Sequence, residues 1–259
     1  MTDYLAITEV AGDAVSQEQI ARLCHRYAWA AGYCVGKDAL EAACGTGPGL
    51  GYLAARAQSL WAGDYSEKIL AIAQAHYHGR IPFARFDAQA LPCADRSLDV
   101  IMLFEAIYYL PSATRFVAAC RRALRPGGQV LVATANKDLF DFNPSPHSHQ
   151  YYGVVALRDL FTPHGFSVAC FGYMQTDALS WRQRATRPLK KLAVTLNLMP
   201  KTADRKKFLK RWIFGRLVPM PAEIGARMPP YIAPASLHAD QADRRHKVIY
   251  CAATLQPSA

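Results

Sequence analysis

The chain has 259 residues, of which 51% are apolar and 19% charged, and its formal net charge is +10. This composition supports a buried core of one large or two small domains, and it excludes a fibre, a disordered tail and a disulfide miniprotein. The longest apolar stretch, 100–110, is interrupted by Glu105 and is far shorter than the about 20 residues that cross a bilayer. The acidic N-terminus does not resemble a secretion signal, so we expect a cytoplasmic protein.

The predicted elements begin with a helix that precedes the repeating part of the chain. Ser16 and Gln19 are spaced as a capping box, and apolar residues at helical spacing continue to about Tyr33. From Asp38 to Phe171 short apolar runs alternate with helical patterns, which predicts a doubly wound α/β domain with a parallel sheet. We predict strands at 39–43, 60–62, 83–86, 98–104, 130–133 and 166–171, and helices at 50–58, 67–77, 113–124 and 155–164.

The alternation ends after Phe171, and the next segment is strongly basic. Between Arg182 and Arg216 there are twelve Lys and Arg and one acid, whereas the rest of the chain has a net charge of −1. Apolar spacing predicts two amphipathic helices within this segment, near 189–198 and 208–213. A final apolar run, 248–253, predicts a strand that returns to the sheet.

Seven scattered cysteines, an odd number without any C-x-x-C pair, argue against a disulfide framework and a zinc site. No set of His and carboxylate residues has the spacing of a catalytic magnesium site either. We therefore expect no metal.

A glycine-rich turn, Glu41-Ala-Ala-Cys-Gly-Thr-Gly-Pro-Gly49, follows the first strand of the repeating part. Glycines let the backbone approach a ligand closely. Their spacing does not fit the G-x-G-x-x-G dinucleotide fingerprint, and no Gly-Lys-Ser/Thr of a P-loop follows. The turn therefore indicates a ligand-binding loop of another kind.

Acids follow the next two strands at the edge where open α/β sheets bind ligands. Asp64 follows the second strand, where a carboxylate can accept hydrogen bonds from both ribose hydroxyls. Asp87 follows the third, where a carboxylate can accept from the exocyclic amine of a purine. Together with Glu41, these acids predict an adenosine pocket.

With these residues the chain resembles class I S-adenosylmethionine-dependent methyltransferases, in the small-molecule group that includes quinone methyltransferases. The resemblance covers about 4–173 and departs from the family at Ala43, where the first glycine is usual. It is carried by six motifs in the family's order, namely Leu40–Gly47, Gly63–Ser66, Asp87–Pro92, Ser97–Ile101, Leu124–Gly128 and Tyr152–Phe166. It implies a Rossmann-like seven-stranded sheet with an antiparallel last strand. The sequence pattern adds the N-terminal helix and the basic helical insertion before that strand.

The resemblance also implies roles for individual residues, with S-adenosylmethionine as the cofactor. Glu41 reaches its amino group, Asp64 holds the ribose, and Asp87 with Ala88 reads the adenine. Residues assigned to the methionine portion or to the remaining cofactor pocket are Gly45, Thr46, Gly47, Tyr65, Phe104 and Glu105. The corresponding domain bounds are an N-terminal helical cap 1–36, a methyltransferase core 37–174, a basic insertion 175–245 and a last core strand 246–259.

Candidates for catalysis lie after the fourth and fifth strands. His149 is the preferred general base because its ordinary pKa suits proton transfer near neutral pH. Tyr108 is a candidate pocket wall or core aromatic, and Glu105 is favoured as a cofactor-contacting or orienting residue over a general base. A protein that binds the cofactor without turnover stays open, because the sequence demands no particular catalytic residue.

The basic segment is compatible with three kinds of binding partner. It can bind an anionic small acceptor such as a nucleotide sugar, contact anionic lipid at the inner membrane face through 181–216, or follow RNA phosphates. We favour a small-molecule or glycan/lipid-linked acceptor. Nucleic acid is disfavoured because 104–108 lack the Asp/Asn-Pro-Pro-aromatic signature of amino-methylating enzymes. The sequence does not define an oligomeric state.

Overall fold

The alternating apolar runs form one mixed sheet with helices on both faces in a computed structural model, which describes residue 8 and residues 10–176, 217–225 and 228–257. The strands are β1 (Ala14–Ser16), β2 (Asp38–Ala42), β3 (Ser59–Asp64), β4 (Phe83–Arg85), β5 (Leu98–Phe104), β6 (Leu124–Ala135), β7 (Phe166–Gln175), β8 (Leu217–Pro219), β9 (Ala235–Leu237) and β10 (His246–Leu255). The helices are α1 (Gln17–Cys34), α2 (Leu50–Ala54), α3 (Glu67–Tyr77), α4 (Ala113–Ala123) and α5 (Val154–Phe161).

The main sheet has the order β4-β3-β2-β5-β6-β10-β7-β9. Neighbouring strands from β4 to β6 are parallel, and β10 is antiparallel to both β6 and β7. This confirms the α/β fold with an antiparallel last strand. Eight strands are described in the sheet instead of the seven expected, because the three-residue strand β9 pairs with the outer edge of β7.

Side-chain alternation along the strands divides the core into two layers. Ile101 and Leu103 of β5 pack with α4 and α5 on one face, and Met102 packs with α1 and α2 on the other. Each of these three side chains is fully buried. Helices therefore cover both faces, which is the doubly wound arrangement that the alternation predicts.

The predicted helix at the N-terminus is α1, and its capping box is confirmed. The Ser16 hydroxyl accepts from the Gln19 backbone N–H, and the Gln19 side chain accepts from the Ser16 N–H. Along α1 the apolar residues Leu23, Tyr27 and Ala30 are buried against the sheet. The helix therefore belongs to the core packing although it precedes the repeating part of the chain.

Several predicted boundaries are wrong: α5 ends at Phe161, before the predicted 164, and β7 and β10 are longer than the predicted 166–171 and 248–253. α2 ends at Ala54, four residues before the predicted end. The predicted helix 113–124 and strand 130–133 leave 125–129 as a connection, but β6 begins already at Leu124 and includes Pro126, Gly127 and Gly128. The β5–β6 pairing shifts register there, between Leu98 and Val100, because Gly127 has a left-handed φ of 80°.

Residues 217–225 lie against the N-terminal part of the core. β8 pairs antiparallel with β1, and the Ile224 N–H donates to the Pro48 carbonyl at 2.7 Å. Glu223 forms an ion pair with Arg80 at 3.0 Å. The two helices predicted within 175–245, near 189–198 and 208–213, lie outside the described residues, and the four domain bounds stay predictions. Within the described part of the chain, no helix is long and apolar enough to cross a membrane.

The capping box generates a prediction with an internal control. Ser16→Ala removes the acceptor of the Gln19 N–H and should lower the free energy of unfolding by about 1 kcal/mol. Ser66→Ala should leave it nearly unchanged, because Ser66 precedes α3 without any side-chain capping bond. Urea denaturation of both variants measures the difference, and equal losses would contradict the role of the box.

Candidate functional site

A cavity of about 600 Å³ opens at the carboxyl ends of the parallel strands. It lies where β2 and β5 run side by side while their connections leave in opposite directions, which is the switch point of the sheet. Its volume is in the range of small-molecule sites, roughly 300–1,000 Å³. Its lining includes Arg22, Arg26, Tyr27, Glu41, Ala43, Gly45, Thr46, Asp64, Tyr65, Asp87, Ala88, Phe104, Glu105, Tyr108 and Tyr109.

The glycine-rich turn after β2 has the backbone conformation that its sequence predicts. Gly45 and Gly47 have φ values of 60° and 74°, which L-residues rarely adopt. A Cβ on Gly47 would lie 2.7 Å from a Leu50 methyl group. Gly45 lines the cavity. The carbonyl of Gly47 instead accepts a hydrogen bond from the Tyr77 hydroxyl at 2.6 Å. The turn therefore presents bare backbone to the cavity.

Glu41, at the end of β2, combines burial with an unused acceptor. It is 1% exposed, and its Oε1 accepts from the Tyr27 hydroxyl at 2.7 Å. Its Oε2 is buried and has no hydrogen-bond partner among the residues that the structure describes. Burial raises the pKa of this carboxyl to about 7, against the lowering effects of the Tyr27 bond and the nearby Arg26 charge. The site thus holds an acceptor that a cationic group could satisfy.

Asp64, at the end of β3, is joined to the glycine turn. Its Oδ2 accepts from the Gly45 N–H at 3.0 Å and its Oδ1 from the Ser66 N–H at 2.8 Å. Burial raises its pKa, and these backbone bonds oppose the rise. A carboxylate offers about four acceptor positions, so acceptor capacity remains for a ligand beside these backbone bonds. Tyr65 follows with a half-exposed side chain at the cavity rim.

Asp87 and Ala88 follow β4 and line the same cavity. The Asp87 carboxylate accepts from the backbone N–H of Gln89 at 2.8 Å and from its side-chain amide at 3.1 Å. The Gln89 carbonyl oxygen in turn accepts from the Ser112 N–H at 2.9 Å. Asp87 is therefore fixed in place by Gln89, a residue of its own motif.

Two of the three catalytic candidates meet at the end of β5. Glu105 has a left-handed φ of 52°, and its Oε2 accepts from the Tyr108 hydroxyl at 3.1 Å. Burial, with the Glu105 charge next in effect, raises the pKa of Tyr108 well above its usual range. Tyr108 also stacks on Tyr151, with ring centroids 4.6 Å apart. Tyr108 is thus a neutral hydrogen-bond donor at an aromatic wall.

His149 is not brought into the cavity. Its side chain is exposed and is not part of the lining. Its backbone N–H donates to the Tyr108 carbonyl at 2.8 Å, so the loop passes over the aromatic wall with the imidazole turned to solvent. Sequence reasoning placed the loop correctly but not the side chain, because loop conformation does not follow from periodicity.

Arg22 and Arg26 are cavity residues that the sequence analysis missed. They lie four residues apart on α1, hence on one face of the helix. Two basic residues at helical spacing beside the apolar stripe of α1 could have indicated that this helix contributes to the site. This spacing was not decisive, because such residues are usually solvated.

Together, the switch-point cavity, the bare glycine turn and acids at three successive strand ends define a nucleoside-cofactor site on a Rossmann-like sheet. Comparisons with known proteins identify its class. Residues 40–132 match the profile of a family described as methyltransferase domain. Residues 40–132 therefore belong to a methyltransferase domain of the S-adenosylmethionine-dependent class, and S-adenosylmethionine is the cofactor of that class.

The relatives agree with this assignment. A protein of Mycolicibacterium smegmatis named "Probable S-adenosylmethionine-dependent methyltransferase" is 35% identical over 151 residues, 57% of this chain and 56% of that protein. Phthiotriol/phenolphthiotriol dimycocerosates methyltransferase 1 of Mycobacterium ulcerans is 37% identical over 102 residues, 37% of this chain and 36% of that protein. The chain thus spans about half, or less, of the length of these curated relatives.

Solved structures show the same fold at low identity. The YcgJ protein of Bacillus subtilis superposes with a TM-score of 0.57 at 14% identity, covering 90% of this chain and 99% of that one. The likeness supports the Rossmann-like architecture of the whole described sheet.

The departure at Ala43 generates a prediction. Ala43 has a φ of 54°, a left-handed conformation that costs an L-residue about 1–2 kcal/mol. Ala43→Gly should relieve this strain. Part of the gain is offset by the larger conformational entropy of glycine in the unfolded state, so the free energy of unfolding should rise by up to about 1 kcal/mol. Ala42→Gly, at the fully buried end of β2, should instead lower it. Urea denaturation compares the two, and a loss of equal size in both would show that Ala43 is unstrained.

Proposed function

We propose that the protein transfers a methyl group from S-adenosylmethionine to a small-molecule or glycan/lipid-linked acceptor. The observation that carries the proposal is that Glu41 lines the switch-point cavity and that its buried Oε2 has no partner in the described part of the chain. An unpaired buried carboxylate oxygen is costly unless a ligand satisfies it. The ammonium of the methionine portion is a group of the right charge.

The residues around Glu41 fit the remaining parts of the cofactor. The bare backbone at Gly45 suits close approach of the methionine chain, and Asp64 has acceptor positions left for the ribose hydroxyls. Asp87, held by Gln89, and Ala88 suit the adenine. Arg26 suits the methionine carboxylate, because that group shares one carbon with the ammonium and Arg26 lies near enough to Glu41 to lower its pKa.

S-adenosylmethionine supplies an electrophilic methyl group on its sulfonium. The chain's contribution is to hold the acceptor atom in line and to exclude water. Tyr108 and Tyr109 form an aromatic wall that suits an apolar or aromatic acceptor. Glu105 lies beside this wall and suits the proton that an O–H or N–H acceptor releases. We assign that role to Glu105 in place of His149.

The lipid-linked acceptor draws support from the Mycobacterium ulcerans relative, whose name gives a lipid substrate. The cavity's half-apolar lining, with Phe104, Leu110 and Pro111 beside the aromatic wall, is compatible with such an acceptor. The basic segment 181–216 lies outside the described residues, so contact with anionic lipid or RNA is not argued from it.

Asp64→Asn tests the cofactor pocket. Loss of charge-assisted hydrogen bonds worth about 1.5–3 kcal/mol should weaken S-adenosylhomocysteine binding roughly ten- to hundredfold. Isothermal titration calorimetry measures the Kd. Asp159→Asn, an exposed carboxylate on α5, should bind like the parent. No binding by the parent would refute the proposed function.

Turnover is tested with the same variant as the blank. A labelled-methyl screen over phenols, sugars, lipid-linked glycans and tRNA should show transfer to a small or lipid-linked acceptor that Asp64→Asn lacks. Transfer to tRNA alone would replace the acceptor proposal, and binding without any transfer would indicate a non-catalytic binding protein.

The raised pKa of Glu41 gives a pH dependence. In the protein without ligand, the Glu41 carboxyl has a pKa of about 7. If the cofactor's ammonium binds only the ionised carboxylate, then at a pH below this value Glu41 must lose its proton before the cofactor binds. The Kd for S-adenosylhomocysteine should therefore rise roughly tenfold from pH 8 to pH 6. Glu41→Gln should bind more weakly and with a flat profile. Equal slopes for parent and variant would contradict the assignment of Glu41 to the ammonium.

A further inference from the structure

α1 brings a guanidinium into the cavity that the cofactor does not need. Arg22 lines the cavity together with Arg26, one helical turn away. Its Nε is buried, and within the described ranges it has no hydrogen-bond partner. No described acid forms an ion pair with it, although the cavity lining contains four carboxylates. An arginine is charged at every accessible pH, so this charge is permanent.

The position of Arg22 is fixed by the packing of its helix. Tyr27, five residues further along the helix, is fully buried and bonded to Glu41. At the helix start, Glu18 accepts two bonds from Lys247 of β10, at 2.8 and 2.9 Å. The capping box fixes the first turn. The Arg22 backbone is therefore held between anchors on both sides, which reduces the ordering cost of binding.

The two arginines differ in their distance from Glu41. Arg26 precedes the Glu41 partner Tyr27 by one residue, whereas Arg22 lies about 6 Å further along the axis, at 1.5 Å per residue. The ammonium and carboxylate of the methionine portion are separated by a single carbon. With the ammonium at Glu41, the carboxylate is accounted for by Arg26, and Arg22 is left for another anion.

We propose that Arg22 binds an anionic group of the methyl acceptor, a carboxylate or a phosphate. The proposal rests on the proposed function. The guanidinium fork matches the paired oxygens of both groups. The acceptor would then lie between Arg22 and the wall of Tyr108 and Tyr109, with its anion at the first and its apolar part at the second. Selection for acidic acceptors would come from the penalty of leaving Arg22 unpaired against a neutral one.

Inorganic phosphate serves as the probe, added to the protein saturated with S-adenosylhomocysteine at constant ionic strength in a phosphate-free buffer. Phosphate should raise the Tm of the parent complex. It should not raise that of Arg22→Met, and Arg22→Lys should restore part of the rise. Arg121→Met, an exposed arginine in the last turn of α4, is the matched control and should respond like the parent. The proposal would be overturned if phosphate did not raise the Tm of the parent complex, or if it raised the Tm of the Arg22→Met complex by the same amount.

A second arm separates the acceptor from the cofactor carboxylate. The Kd of S-adenosylhomocysteine for Arg22→Met should stay within about threefold of the parent, whereas Arg26→Met should weaken it at least tenfold. A tenfold loss in Arg22→Met would assign Arg22 to the cofactor and overturn its role with the acceptor. With an acceptor from the methyl screen, Arg22→Met should raise KM at least tenfold and change kcat less. Failure of the parent to bind S-adenosylhomocysteine is the distinct sign that the proposed function itself is wrong.

Discussion

The hydrogen bond between the Tyr27 hydroxyl and Glu41 joins α1 to the first strand of the sheet, and the site depends on it. It fixes one oxygen of a buried carboxylate that lines the cavity, and the other oxygen has no hydrogen-bond partner in the described residues. It also fixes the rotation of α1, so that Arg22 and Arg26 line the same cavity. A charge buried in this way is costly to the folded protein, and the proposed ligand chemistry accounts for that cost.

The glycine turn and Asp64 form a second connected unit. The Gly45 N–H donates to Asp64, so the backbone that faces the ligand and the acid that follows β3 hold one another in place before any ligand binds. Asp87 is held in the same manner by Gln89. Because these acids are already hydrogen-bonded to the backbone, ligand binding need not order them, and this preorganisation favours affinity.

Much of this could be predicted from the sequence, since strand ends are local features. α3 and β5 have the predicted bounds, because periodicity and turn residues mark them on both sides. The acids follow their strands directly, so knowing the strands was enough to bring them to one edge. The features that the sequence did not predict depend on distant pairing partners or on loop geometry. The three-residue strands β1 and β8 exist through pairing across some 200 residues of chain, and the outward turn of His149 is set by the loop's bond to Tyr108.

The central claim is that a buried carboxylate, a side-chain-free bend and two further strand-end acids enclose a nucleoside amino acid. A crystal structure with S-adenosylhomocysteine tests it most directly. The account predicts that the ligand ammonium lies within hydrogen-bond distance of Glu41 Oε2, that the ribose hydroxyls contact Asp64, and that the adenine lies beside Asp87 and Ala88. A ligand bound elsewhere, or bound here with the Glu41 oxygen still unpaired, would contradict it.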